Sequence, residues 1–252
     1  MQKFKVILNP FFNVSTLFVV LIAMATLFVN GCASVQTREM ALEKGQEKLS
    51  LQKDSICFLS VKTDNKFKPE WPPEVWAMEL TDQKTNKKIN IAVQSKSWGS
   101  LLKKGLSDSF TLNKGTSSWE GLVSFELPQG KYRLSAVRGG CNRGIGIGAA
   151  MASFDFPFDI PFQVYDKECV YLGRIEMTNR ERTSDKEIPS GDTTSTRLPQ
   201  QHSGFGTGTF DVKIFDNMDE DIHRFKAEYP VLDQMKITKR ILPPWSMPTS
   251  SK

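Results

Sequence analysis

The chain has 252 residues, 39% of them apolar and 24% charged, with a net charge of +5. This length suits one large domain or two small ones, and the composition excludes a chain disordered throughout. Without a leader carrying Lys3 and Lys5, 31 basic and 28 acidic residues remain, a balance too even for a dedicated nucleic-acid binder.

Residues 1–31 read as an export signal. Lys3 and Lys5 give a positive start, Leu17 to Val29 is an apolar run broken by Thr26, and the small residue Gly31 precedes Cys32. Val29-Asn30-Gly31-Cys32 resembles the lipobox of bacterial lipoproteins, with Asn30 where that family usually has Ala, Ser or Thr. The resemblance implies cleavage before Cys32 and lipid attachment at Cys32, through a thioether-linked diacylglyceryl group and an amino-terminal acyl chain. Several acyl chains give a stable anchor where one does not. In that family an Asp after the cysteine retains the protein in the inner membrane. Ala33 and Ser34 follow here, which implies the outer membrane, with the body facing the periplasm. The alternative is an uncleaved membrane helix, for which the 19 residues from Phe11 to Val29 are barely enough.

Residues 32–54 read as a lipidated cysteine followed by a polar tether. From Ser55 the pattern has period two. Cys57, Leu59 and Val61 share a face, as do Trp76, Met78 and Leu80, and Ile89, Ile91 and Val93. The same holds for Val123, Phe125 and Leu127, for Tyr132, Leu134 and Ala136, for Tyr171, Ile175 and Met177, and for Phe210, Val212 and Ile214. Short alternating strands between turn residues predict a mainly β fold, an antiparallel β-sandwich spanning residues 55–242. Glu126 to Leu134, with its Pro128-Gln129-Gly130 turn before Tyr132, resembles a hairpin of transthyretin-like and carboxypeptidase-regulatory-like sandwiches. Val170 to Ile175 resembles a later strand of envelope lipoproteins of that shape. These likenesses imply a fold class and no activity.

Gly144-Ile145-Gly146-Ile147-Gly148-Ala149 fits a loose nucleotide-binding pattern, but Pro157 and Pro161 forbid the long helix that mechanism needs. It reads as a flexible glycine-rich connection. Phe154, Phe156, Phe158, Ile160 and Phe162 then fall on one face of an extended segment, whose prolines mark an edge strand or arm. This strip either caps the core or docks a partner. Cys141 and Cys169 are the favoured disulfide, since the strands beside them meet if they are antiparallel neighbours. Pairing with Cys57 stays open.

Residues 178–206 are rich in Ser, Thr, Arg, Asp and Pro and read as a mobile loop. A helix is predicted over 217–229. Asp216 caps it, acidic residues fill its first turn, and Met218, Ile222, Phe225 and Tyr229 form one apolar stripe for the sheet. Met235 to Leu242 is a last strand, and residues 243–252 are a Pro-rich tail.

Catalytic signals are thin. His202 falls in the polar loop and His223 off the helix stripe, and neither has partners spaced for zinc. The acidic group from Asp216 to Asp221 lacks the ligand alternation of a calcium loop and reads as helix capping. Trp71, Trp76, Trp98 and Trp119 are candidates for stacking on sugars, though tryptophans more often pack. The reading is a non-enzymatic, lipid-anchored accessory or interaction module without cofactor or metal. It would bind the membrane through Cys32 and an envelope protein through the phenylalanine strip. A module for cell-wall glycan or peptide is the alternative, and a hydrolase a more distant one.

Overall fold

A computed structural model describes residues 35–42, 46, 54–93, 118–145 and 148–247. The chain divides into two units, Met1–Ser34 and Val35–Lys252, and all described residues belong to the second. The signal segment, Cys32 and Trp98 lie outside the described residues.

In chain order the strands are β1 (Gln36–Arg38), β2 (Ser55–Asn65), β3 (Glu74–Asp82), β4 (Lys88–Ala92), β5 (Ser118–Leu127), β6 (Gly130–Ile145), β7 (Gly148–Val164) and β8 (Cys169–Glu181). Helix α1 (Leu198–His202), β9 (Gly208–Phe215), helix α2 (Met218–Glu228), a 3-10 turn (Pro230–Gln234) and β10 (Ile237–Lys239) follow. One sheet has the order β1-β4-β3-β6-β7. The other runs β5-β2-β8, with β10 and β9 sharing the outer edge of β8. The fold is therefore mainly β, as the period-two pattern predicts.

The pairing differs from the expected all-antiparallel arrangement. β1 with β4, β2 with β8, and β10 with β8 are parallel. The Pro128–Gly130 turn reverses the chain, but it joins β5 of one sheet to β6 of the other. Tyr132 Oη donates to the Pro128 carbonyl across this turn at 3.0 Å. Alternation fixes which side chains face inward; it does not name the neighbouring strand.

Inward residues of both sheets form one apolar core, from Cys57, Leu59 and Val61 to Phe156, Ile175 and Met177. A second cluster lies on the other face of β2 and β8, where Phe58, Tyr171 and Leu122 meet Phe225 and Tyr229 of the α2 region. The predicted stripe is thus in place, with Met218 and Ile222 packed at its margin. This cover explains why β2 and β8 are buried on both faces although they alternate in sequence.

Three expected faces are wrong. Trp76 does not share the core face of Met78 and Leu80, nor Ala136 that of Tyr132 and Leu134, because the pairing slips between Val75 and Ala77 and between Leu134 and Ala136, so that Val75 and Val137 enter the core instead. Tyr171 does not share a face with Ile175 and Met177, because the pairing slips between Phe58 and Ser60. Tyr171 stands opposite Phe58 and Arg174 opposite Ser60, so the Leu172-Gly173 step forms a bulge. Gly173 has φ +105°, open to glycine at little cost, and an added Cβ would lie 3.1 Å from the Phe215 carbonyl and from Ile241.

Two segments expected outside the core return to it. The front of the tether forms β1, then crosses to the edge of β5, where Ala41 N donates to Ser124 O at 3.1 Å and Leu42 N to Ser124 Oγ at 3.0 Å. Leu42 is buried in the second cluster. The segment read as a mobile loop begins by extending β8 to Glu181 and ends with Phe205 fully buried. Its polar residues are held by a satisfied network. Asn179 Nδ2 donates to Asn65 Oδ1 at 3.0 Å, Ser190 Oγ donates to Asn179 Oδ1, and Asn65 Nδ2 donates to Ser203 O at 3.0 Å. Low apolar content misleads here because buried amides and hydroxyls that pair fully are tolerated in a core. The glycine-rich connection is also strand: β6 and β7 pair through Ile145 and Gly148.

Candidate functional site

The phenylalanine strip lies on β7, which is the edge strand that its prolines require. Phe154, Phe156, Phe158 and Ile160 are buried and Phe162 is partly so, all within the shared core. Phe154 packs on Phe205 and Phe210 with ring centroids 5.4 and 5.0 Å away, and Phe156 on Phe210 at 5.3 Å. The chain's own Trp245 closes over Phe156 and Phe158 at 5.7 and 6.4 Å. The strip is therefore not a surface offered to a partner, and Pro243 to Trp245 is not a free tail.

The disulfide is not formed. Cys57, Cys141 and Cys169 are buried free thiols. Cys141 belongs to β6 and Cys169 to β8, strands of different sheets that are not neighbours, so the condition for their meeting is not fulfilled. Among the tryptophans, Trp71 is buried and Trp119 packs against the core. Trp76 is half-buried and lies across Gly140, where an added Cβ would sit 2.4 Å from the indole. They form no common stacking surface among the described residues. His202 and His223 are both exposed, on α1 and α2.

The densest polar constellation was not anticipated as such. Asp221, in the first turn of α2, is fully buried. Its carboxylate accepts from Ser60 Oγ, from Tyr171 Oη at 2.6 Å, from Arg174 Nη1 at 3.2 Å and from Asn217 Nδ2 at 3.2 Å. Arg174 is 5% exposed and also reaches Glu120 at 2.7 Å, while Glu120 bonds Arg224 of α2. The bulge at Gly173 creates this site. With unbroken alternation after Tyr171, residue 174 would point into the apolar core; the extra residue turns Arg174 toward the helix.

Asp216 does cap α2 by accepting from Met218 N at 3.1 Å, although the N-cap position is Asn217. Asp216 also pairs with Lys239 at 2.6 Å, and that bond holds its carboxyl below the usual range. Burial raises the Tyr171 phenol well above its ordinary value, and the adjoining Asp221 carboxylate adds to the rise. The phenol thus stays protonated and donates.

Chemically this cluster is a latch. The Asp221 oxygens are filled by four donors, so no lone pair is turned toward a substrate or ion. Among the described residues no group of three or more His, Cys, Asp or Glu side chains could hold a metal ion. The sequence did carry a signal for the latch: Ser60 interrupts the apolar run from Ile56 to Val61, and Arg174, at the paired position, stands before Ile175 in the largely apolar run that starts at Cys169.

The solvent face of the β1–β7 sheet carries a second charge array. Lys88 pairs with Glu79 at 3.0 Å, Arg138 with Glu79 at 2.8 Å and Arg138 with Asp155 at 2.9 Å, linking four adjacent strands. Burial pushes the Glu79 carboxyl up, but hydrogen bonds from Lys88 and Arg138 outweigh it and leave the group below its usual range. Every charge in this array of four groups is paired, with Glu79 buried between its two cations. No protein-family model, curated protein or solved structure matches the chain.

Proposed function

We propose that this chain is a lipid-anchored envelope protein, a non-enzymatic accessory module held through Cys32 on the periplasmic face of the outer membrane. Val29-Asn30-Gly31-Cys32, placed after the apolar run from Leu17 to Val29, carries the reading. In it residues 1–31 are a cleaved signal peptide, and the two sheets are the layers of a β-sandwich of transthyretin-like shape with mixed pairing. In this reading Asp221, whose oxygens are filled by donors, is a structural group and not a catalytic base.

The test is the mass and partition of the chain expressed in a bacterium with an outer membrane. The wild type is expected in the outer-membrane fraction, starting at Cys32 and heavier by its acyl groups. Cys32→Ser is expected to lose the added mass. A wild-type chain that retains Met1 to Gly31 without acyl groups overturns the reading in favour of a membrane helix.

A further inference from the structure

Beyond β10 the chain follows the edge of β8 as far as Leu242 and is then held by one side chain. Arg240 N donates to the Tyr171 carbonyl and Leu242 N to the Leu172 carbonyl, both at 2.9 Å. Among the described residues, 243–247 make no hydrogen bond. Pro243 and Pro244 have no N–H to give. Both prolines, Ser246 and Met247 are exposed. What fixes this segment is the Trp245 indole, seated on Phe156 and Phe158. Its Nε1 is buried and has no acceptor among the described residues. An unpaired buried donor offsets much of what the ring gains by leaving water. The segment's own Pro243 forms one wall of a cleft of about 220 Å³, together with Phe162, Leu172 and Leu242. Phe158 under the indole and Phe162 in the cleft both turn to the core from β7. Arg240, which also lines the cleft, is taken up by the Tyr165 ring, 3.9 Å away, and by Glu168 at 3.0 Å.

We propose that residues 243–247 are a displaceable strap, and that the apolar surface of β7 beneath it binds a small, uncharged aromatic molecule. Opening removes two things at once, the indole over Phe156 and Phe158 and the Pro243 wall of the cleft, so the two spaces join. The group that fills the slot now shows what chemistry fits it. A planar ring packs there on two phenyl rings, with centroids 5.7 and 6.4 Å away. Phenyl and aliphatic groups offer no charge and no hydrogen bond, so a polar ligand would lose its water without compensation. An aromatic molecule without N–H or O–H leaves no unpaired donor behind, which is the defect of Trp245 itself. Room is sufficient, since an apolar cavity of about 150 Å³ already takes a benzene-sized molecule. Strap and ligand compete for one surface, so the closed strap lowers the apparent affinity by the fraction of time it is shut. Every residue involved belongs to β7, β8 or the C-terminal segment, and the site does not depend on lipid at Cys32.

The experiment uses the full chain in detergent micelles, with benzophenone as the probe. On irradiation benzophenone bonds to the C–H groups it touches, and peptide mass spectrometry maps them. Labelling is expected on β7 between Phe156 and Phe162, and excess naphthalene should suppress it. Trp245→Ala removes the competitor and should raise this labelling about tenfold. Equal labelling of the two chains, or labelling that avoids this stretch, overturns the site. A second measurement keeps the test independent of how that variant folds. The wild-type chain is grown with 5-fluorotryptophan, and the fluorine signal of Trp245 among the five tryptophans is the one missing in Trp245→Phe. Saturating naphthalene should move that signal to the position it has in the urea-unfolded chain and leave the others in place. A Trp245 signal that stays where it was overturns the strap.

Discussion

Arg174 and Asp221 are each other's condition for being buried. A guanidinium that is 5% exposed needs its charge compensated, and among the described residues Asp221 supplies the one carboxylate in its reach that is itself fully buried. Asp221→Ala should cost about 3 kcal/mol, chiefly because the buried Ser60 and Tyr171 hydroxyls lose their acceptor at about 1–3 kcal/mol each, while Arg174 keeps Glu120 at 2.7 Å. Urea denaturation checks this, and a loss below about 1 kcal/mol would mean that water reaches the two hydroxyls instead. Pairing this change with Arg174→Met should not restore full stability, because the Ser60 and Tyr171 hydroxyls would still lack their acceptor. The cysteines make a second residue-scale case. Burial pushes the Cys141 and Cys169 thiols up to about 12, and the Cys57 thiol higher still. All three should resist iodoacetamide in the native protein at mildly alkaline pH and react in urea, as read by intact mass. A disulfide between any two of them in the purified protein would refute that expectation. The Cys141–Cys169 pairing rested on their strands being antiparallel neighbours; β6 and β8 are not, and Cys141 lies in the core between the sheets while Cys169 lies in the cluster under α2.

Strands and the α2 helix were legible because each has a period. The stripe of Phe225 and Tyr229 faces Phe58 and Tyr171 as the spacing of the helix requires, with Phe58 and Phe225 centroids 4.5 Å apart. The segment 182–207 was not legible, since what binds it is a set of side-chain amides and hydroxyls that carries no period. Gln200 shows the principle: its side-chain amide accepts from Ser153 N at 2.9 Å and donates to Ser153 O at 2.8 Å, filling the edge of β7 as a strand would. An ion pair fastens the near end of the same segment. The Arg180 guanidinium, with the Thr183 amide, lowers the Glu187 carboxyl from 4.5 to about 2. A carboxyl lowered in the folded state stabilises fully above its unfolded value. That contribution is lost as the pH falls through the folded value. The amides of this segment should therefore keep their hydrogen-exchange protection down to about pH 4.5 and lose it toward pH 2, ahead of the sheets. Glu187→Gln should abolish this pH dependence; if it persists, another group controls the segment.

At the scale of the molecule, the outer sides of β4, β5 and β7 are each covered by a segment from outside the main strands. Residues 35–42 cover the outer edges of β4 and β5, while Trp245 and the segment 182–207 cover the side of β7. Deleting residues up to Leu42 should uncover two strand edges at once. Light scattering should then show concentration-dependent association beyond that of the full chain. Unchanged association would mean that the charges along β4 protect the edge without help. None of this closure could be read from composition, because the closing residues, Leu42 and Trp245, belong to short apolar groups without a strand period in polar or Pro-rich stretches.

The parallel contact of β2 with β8 also sets a timetable for assembly. Ile56 waits for Cys169 before β2 has its second neighbour, and Cys169 in turn waits for Ile237. Contacts so distant along the chain make folding slow, since long loops must close before any pairing rewards them. During synthesis β2 and β5 would stand as an unfinished pair with apolar faces open, a species prone to wrong partners. The body is consequently one whose second sheet gains its parallel neighbours late, because β8 and β10 are among the last strands of the described residues to be available.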